Sequence, residues 1–274
     1  MKQFNGPEKN SDQKMDAEKA GNRPLLSVVI PVYQEAGNLL ASLEHFQTLR
    51  HNGAELIVVD GYSRDDSHQL LQTHSELWDV CVLAGPGRAR QMNAGAHCAR
   101  ADKLLFLHLD SRFRSDFPVH QLSALTDENN WAYFQLALCR KDFPYNVIGR
   151  SINWRSKVSG SVTGDQGICL SKSLFERMGG YPDIPLMEDI ALSDALRKHK
   201  APLPFNYELE TSSRRWQKHG VFKTVLLMWW LRAQYRLGVS PYKLAKKYYP
   251  HFSFSKVQDK PSQPLEKYLK DTGA

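Results

Sequence analysis

The chain reads as an α/β protein, a mostly parallel sheet flanked by helices with a helical C-terminal segment. Three observations predict this. Short β-rich runs alternate with helical periodicity over the first 110 residues, the pattern of βα units around a parallel sheet. Leu104 to Leu109 is nearly all apolar and runs into one carboxylate, Asp110, as a strand buried on both faces does. Beyond residue 220 only helical stretches remain, over 221–237 and 241–249, with Pro241 suited to a first helical turn.

In chain order, Leu25–Ile30 is a short β-rich run closed by Pro31. Glu35–Arg50 has helical spacing, with Leu39, Leu40, Leu43 and Phe46 on one side. Ala54–Val59 is the second strand and ends at Asp60. Gly61 and Ser63–Asp66 form a turn, and a helix runs to about His74. Val80–Leu83 is the third strand. Gly85-Pro86-Gly87 turns into a helix over Arg88–Ala99, and Leu104–Leu109 is the fourth strand. The second half is less regular. Trp131–Leu138 reads as a strand, and 144–158, 171–178 and 188–199 as helices. The turn Gly164–Gly167 precedes the apolar Ile168–Leu170.

A chain of 274 residues supports one domain, expected over 25–250, with a disordered arm at 1–24 and a flexible tail at 251–274. Cys81, Cys98, Cys139 and Cys169 lie far apart with no CxxC pair. That spacing argues against a zinc site or a disulfide framework and fits a reducing cytoplasm. No signal-peptide pattern opens the chain, and the longest apolar run, Val225–Leu231, is far below the roughly 20 residues a bilayer span needs.

The net charge of +7 is uneven. From Thr211 to Gln258 there is no Asp or Glu, against ten Lys and Arg, so the rest of the chain is mildly acidic. Such asymmetry points to an anionic partner. Trp216, Trp229, Trp230, Tyr235, Tyr242, Tyr248 and Tyr249 are interleaved with these cations. Residues 221–249 thus fit a helix lying at a membrane interface, on the inner face of the membrane. The bland alternative is a core helix with its basic residues in water. No groove-reading motif supports nucleic-acid binding.

Three constellations can carry chemistry. Asp60 and Asp110 both end strands of one parallel sheet, where ligands bind beyond the carboxyl ends. Asp110 can hold a divalent cation through oxygen, and Asp60 can bond a ribose or a base edge. Caps and turns are the plain structural alternative for both. The run Gly85–Gly95 opens a helix with Arg88 and Arg90 in its first turn. Cations there oppose the helix dipole, and an anionic ligand would offset the penalty. It is not a dinucleotide fingerprint, because Arg90 stands where the third glycine belongs. Finally, Glu188 and Asp189 open a helix whose Leu192 and Leu196 face inward. They suit either the dipole or general-base work at a crevice mouth, and by spacing alone the structural reading is the stronger.

Together these segments resemble the family 2 glycosyltransferases of GT-A fold, a small soluble bacterial subgroup with a Rossmann-like sheet. The segments that carry the resemblance are Val28–Glu35, Val58–Gly61, Gly87–Asn93, His108–Asp110 and Met187–Asp189, in that order, with Ser213–Trp216 as a sixth. The resemblance covers about residues 25–250, with a nucleotide-binding half over 25–112 and an acceptor half over 113–250. It implies inverting, metal-assisted transfer of a sugar from a UDP- or GDP-sugar to an acceptor hydroxyl; the acceptor is unknown, with a lipid-linked one a candidate. It places Pro31, Val32, Glu35, Asp60, Arg64, Arg88, Arg90, Asn93, Asp110, Arg215 and Trp216 around the donor. Asp110 would ligate Mn²⁺ or Mg²⁺, Asp189 would be the general base, and Glu188 would support it. The usual Asp-x-Asp metal motif is broken here, because its first acid is His108. Imidazole suits Mn²⁺ better than Mg²⁺, so His108 and, further on, His219 are candidate ligands ranked below Asp110. Two competing readings are a nucleotidyltransferase of similar fold and a non-catalytic nucleotide-binding protein at the membrane surface. The first is disfavoured because Pro31–Glu35 replaces the glycine-rich basic loop expected after strand one.

Overall fold

A computed structural model describes residues 23–114, 117–125, 128–140, 142–212 and 220–249. The strands are β1 (Leu26–Val32), β2 (Ala54–Asp60), β3 (Val80–Leu83), β4 (Lys103–Phe106), β5 (Arg112–Phe113), β6 (Trp131–Leu138), β7 (Ile168–Ser171) and β8 (Leu203–Thr211). The helices are α1 (Leu39–His51), α2 (Ser67–Thr73), α3 (Arg88–Cys98), α4 (Val119–Leu125), α5 (Phe143–Ser159), α6 (Lys172–Arg177), α7 (Glu188–His199), α8 (Val221–Arg236) and α9 (Pro241–Tyr248).

All eight strands join one sheet in the order β3-β2-β1-β4-β7-β6-β8-β5. From β3 to β4 every pairing is parallel. The sheet then turns mixed: β7 is antiparallel to both β4 and β6, β6 is parallel to β8, and β5 is antiparallel to β8. Both halves of the chain therefore build a single sheet. Strand order reverses at β1, which has β2 on one side and β4 on the other. Crevices in open α/β sheets form at such a reversal.

Each face of the sheet has its own core. One buries Leu39, Leu43, Phe46 and Leu49 of α1 against β1 and β2, and extends to Phe117, Phe134 and Phe205. The other buries Ala89, Met92 and Ala96 of α3 with Leu174, Phe175, Leu192 and Leu196 of α6 and α7. A buried leucine or phenylalanine contributes roughly 1.5–3 kcal/mol relative to exposure, so these two layers dominate the fold's stability. Helix α3 lies deepest. A side chain at Gly95 would collide with Val29 and Val59, and only glycine lets the helix approach the strands that closely. That approach brings the N-terminus of α3 to the carboxyl edge of the sheet.

Several boundaries differ from the sequence reading. β1 runs through Pro31 to Val32. Pro31 lacks an N–H, but the β1–β4 ladder already ends at Val29 opposite Phe106, so no bond is forgone there. α1 starts at Leu39 rather than Glu35, because residues 34–36 donate their N–H groups to the turn after β2. β4 stops at Phe106, three residues short; Leu107 still donates its N–H to Val29 O, and Ser111 closes a turn onto His108. β5, α4 and β8 were not anticipated. β8, Leu-Pro-Phe-Asn-Tyr-Glu-Leu-Glu-Thr, has a register break opposite Phe134/Gln135, which blurs its alternation.

Candidate active site

A cleft of about 380 Å³ opens at the carboxyl ends of β1 and β4. Pro31, Tyr33 and Glu35 form one wall, Pro86, Gly87, Arg88 and Gln91 a second, and His108, Leu109 and Asp110 a third. Pro185, Leu186, Glu188 and Tyr249 complete it. The last of these follows α9. The C-terminal helices reach the cleft because Leu231, Leu244 and Ala245 pack on Leu186, Met187 and Ile190.

Polar bonds hold each wall in place. Gln91 is buried on α3 and gives its two amide protons to Val32 O and Val59 O, both at 2.8 Å. It thereby locks the ends of β1 and β2 to α3. The loop after β1 rests on the turn after β2: Gln34 N donates to Ser63 Oγ, Glu35 N to Ser67 Oγ, and Ala36 N to Asp65 Oδ2. Gln34 and Tyr62 both have positive φ, 55° and 57°, a strain that these bonds offset.

Asp60 is fully buried beneath this loop. It accepts from Ser63 N at 3.1 Å and faces His68 Nδ1 at 3.1 Å, so it organises the turn and does not line the cleft. Arg64 lies exposed on the same turn. Arg90 and Asn93 are also engaged away from the cleft. Arg90 makes a two-point ion pair with Asp183. Asn93 accepts from Tyr181 N at 2.9 Å and donates to Tyr181 O at 2.8 Å. Both residues tie α3 to the segment leading into α7. Val32 is buried within β1. Arg215, Trp216 and His219 lie outside the described residues.

The acidic pair stands where α7 begins. Met187, just before it, is held at φ 69°, an uncommon conformation for a residue with a side chain. Glu188 is buried and lines the cleft. Burial, then the charge of Asp189, push its carboxyl up to about 7, against the pull of Arg88 and His108. Asp189 stands beside it with both oxygens engaged: Oδ2 accepts from Gly164 N at 2.8 Å and Oδ1 from Ile190 N at 2.7 Å. The Gly164 turn also neighbours His108. A Cβ at 164 would fall 2.7 Å from His108 Nε2 and 3.7 Å from Asp189 Oδ2. His108 Nδ1 faces Asp165 Oδ1 at 3.0 Å.

Arg88 is the cation of the cleft. Its side chain is open to the cleft solvent, although protein surrounds it on most sides. Burial opposes its charge, but Tyr249, Glu188, Asp165 and Asp189 outweigh that and raise its proton affinity further. A permanent guanidinium at the N-terminus of α3, behind Gly87 at φ 133°, makes this wall suited to phosphate oxygens.

Among the described residues no three His, Cys, Asp or Glu side chains group as a metal cage. Asp110 offers one carboxylate on the cleft wall. That fits a cation which takes most of its ligands from substrate phosphates and water, as Mg²⁺ commonly does. The sequence reading thus placed Pro31, Glu35, Arg88, His108, Asp110 and Glu188 in one cleft, with Asp189 at its edge. It missed Tyr33, Gln91, Leu186 and Tyr249, whose positions depend on long-range packing.

Comparisons with known proteins bear on the family and the fold. The profile of glycosyl transferase family 2 matches residues 27–163. The O-antigen chain rhamnosyltransferase WbaN of Salmonella anatum is 23% identical over 216 residues, 70% of this chain and 66% of its own. TarS of S. aureus superimposes with a TM-score of 0.50 at 14% identity, covering 68% of this chain and 36% of TarS. The mannosyltransferase PcManGT of Pyrobaculum calidifontis, solved with GDP-Man and Mn2+, gives a TM-score of 0.48 at 21% identity, over 69% of this chain and 56% of its own. The chain thus spans about two thirds of the rhamnosyltransferase and little more than half of the mannosyltransferase. The mixed eight-stranded sheet flanked by helices is of GT-A type, and with half of its length matched by the family profile the chain belongs to glycosyl transferase family 2.

Proposed function

We propose that the protein transfers a sugar from a nucleoside-diphosphate sugar, with UDP and GDP as the candidate carriers, to an acceptor hydroxyl with inversion at the anomeric carbon. One observation carries the reading. Asp110, Arg88 and Glu188 line one cleft at the point where the sheet reverses, and Asp189 follows Glu188 at the start of α7.

In this reading the nucleoside lies along residues 31–35, with Asp60 holding the loop from below and Arg64 at its outer edge. The diphosphate meets the N-terminus of α3 and Arg88, which stabilises the charge gathering on the leaving group. Asp110 would hold a divalent cation, Mn²⁺ or Mg²⁺, which when bound adds Lewis-acid stabilisation of that diphosphate. Asp189 takes the proton from the acceptor hydroxyl as its oxygen attacks the anomeric carbon and the bond to the diphosphate oxygen breaks. The two backbone N–H donors orient Asp189 for this task, and Glu188 supports it from inside the cleft. Residues 25–112 would serve the nucleotide and 113–250 the acceptor.

We also assign α8 to an anionic membrane surface. Leu226, Trp229, Trp230 and Leu237 are exposed, at 65, 59, 42 and 79%. Lys247 covers the Trp230 ring at 4.5 Å. Neighbouring α5 exposes Phe143 and Trp154, and the two helices meet where Val225 packs with Tyr145, Ile148 and Ile152. Exposed tryptophans amid unopposed lysines and arginines complement anionic headgroups. Among the described residues no helix is long and apolar enough to cross a membrane, so the assignment is contact and not insertion.

The deciding experiment measures nucleotide release and sugar transfer with a panel of UDP- and GDP-sugars and Mn²⁺, for the wild type and for Asp189→Asn. Loss of about 10²-fold or more in the variant with donor binding kept is expected for a general base. Full activity in the variant would reject that role. Absence of any donor response in the wild type would reject the reading as a whole.

A further inference from the structure

Outside the cleft wall, Arg155, Arg232 and Arg236 form no ion pair with a carboxylate among the described residues. Arg155 on α5 and Arg232 on α8 each bury an Nε–H that bonds to nothing among the described residues. Gln166, fully buried, likewise leaves its Nε2 donor unused. Its Oε1 lies 2.7 Å from Ser156 Oγ, and the backbone N–H of Thr163 points at the same oxygen at 3.3 Å. Buried donors without acceptors are uncommon and call for an explanation.

Helix spacing directs the arginines toward the contact between α5 and α8. Val225 packs on Ile148 and Ile152 where α8 meets α5. Arg232 and Arg236 follow Val225 by seven and eleven residues, on the same face of α8. Arg155 follows Ile148 by seven and shares its face of α5. The adjacent face of α8, with Met228, Leu231 and Tyr235, packs on Leu186, Met187 and Ile190 at the start of α7. The arginines therefore flank the segment that carries Asp189.

A short chain of contacts joins Arg155 to it. Arg155 Nη2 donates to Ser156 Oγ at 3.2 Å, and that hydroxyl lies 2.7 Å from Gln166 Oε1. Gln166 closes the 164–166 turn, whose Gly164 N–H holds Asp189. The electrostatics agree. Burial lowers the proton affinity of Arg155, and Arg236 lowers it further, while Asp189 and Asp165 act the other way. Like charges held close with spare donors are what an anion would bridge.

We propose that Arg155, Arg232 and Arg236, with Gln166, form an acceptor-side anion site next to Asp189, which takes a phosphate or carboxylate group of the acceptor. This rests on the glycosyltransferase reading, and it narrows the acceptor to an anionic class. It is distinct from the donor site, where Arg88 lies in the cleft on another helix. The anion would seat the acceptor with its hydroxyl toward Asp189. It would belong either to a free phosphorylated molecule or to a lipid headgroup.

The test uses the full chain and two soluble probes, inorganic phosphate and glycerol 3-phosphate, with glycerol as the uncharged control. Binding is read by thermal shift for the wild type, Arg155→Gln, Arg236→Gln and Arg88→Gln. The expected result is a response to the phosphates that survives Arg88→Gln and weakens by about tenfold or more in Arg155→Gln and Arg236→Gln. Arg236 is exposed and Arg155 half-buried, so the Arg236 variant folds even if the Arg155 variant does not. Vesicles of phosphatidylcholine with phosphatidic acid form the second arm. A response confined to them, and lost with Arg236→Gln, also supports the site and identifies a headgroup as the source. Equal phosphate binding in all four proteins, loss with Arg88→Gln alone, or no response in either arm would overturn the proposal. A retained response to UDP or GDP with Mn²⁺ in that case would leave the glycosyltransferase reading standing.

Discussion

The backbone N–H of Gly164 donates to Asp189 Oδ2 over 2.8 Å, which ties a turn before β7 to the first turn of α7. A methyl group at 164 would press on His108 Nε2 at 2.7 Å, so the turn or the imidazole must move. Gly164→Ala is expected to lower the turnover of sugar transfer by about 10- to 100-fold, because the proposed base loses its orientation. Steady-state kinetics with a donor and acceptor pair would measure it. Unchanged turnover would mean that the turn does not position the carboxylate.

Glu188 should mark the pH dependence of stability. Its carboxyl is raised from 4.5 to about 7, by burial first and Asp189 second. The folded chain therefore holds this proton more tightly than the unfolded chain does. The group favours folding fully below about pH 4.5, and that contribution is lost as pH rises through about 7. Glu188→Gln keeps the neutral form at every pH. Its stability relative to wild type should rise between pH 5 and pH 8 by on the order of 2 kcal/mol. Urea unfolding at both pH values tests this, and an unchanged difference would contradict it.

Asp110 and His108 should separate under metal titration. Asp110→Asn is expected to cost roughly 10²–10³-fold in transfer at saturating Mn²⁺. His108→Ala should cost less than about tenfold, with little change in the Mn²⁺ requirement, because Nε2 lies against the Gly164 turn, where a Cβ would fall 2.7 Å away. A His108 variant that needs far more Mn²⁺ would make the imidazole a ligand.

The Asn93–Tyr181 clamp should be structural. Asn93→Ala removes two hydrogen bonds to the Tyr181 backbone and is expected to destabilise the fold by about 1–3 kcal/mol. Arg90→Gln, at a more exposed ion pair, should cost less than about 1 kcal/mol. Chemical denaturation of both variants orders them; a larger loss at Arg90 would reverse the assignment.

Flotation with phosphatidylglycerol-containing vesicles at low salt tests the face of α8. Wild type should co-float, and the double variant Trp229→Ala, Trp230→Ala should not. Wild type remaining in the soluble fraction would return α8 to an ordinary solvent-facing role.

Much of the site was legible because its residues follow strand ends and helix starts. Asp110 follows an apolar run, Arg88 follows a glycine turn, and Glu188 opens α7. Local spacing predicts these positions, though not their roles. Residues whose placement depends on partners far along the chain were not legible. Tyr249 reaches the cleft only because α8 and α9 fold back on α7. Gln91 is an undistinguished polar residue until two strand ends lie beneath it. β8 escaped notice because its polar residues and register break obscure a period of two.

By itself the sequence determined the fold class, since hydrophobic period and turn chemistry are local properties, and its ordered motifs carried the resemblance to the family. Only the tertiary structure decided which charged side chains share a space. It turned Asp60 inward, spent Arg90 and Asn93 on Asp183 and Tyr181, and left Arg155 with an unused donor within the field of Asp189. The reason is physical. A side chain's charge and reach are written in its residue type, but its partners are set by packing among elements distant in sequence.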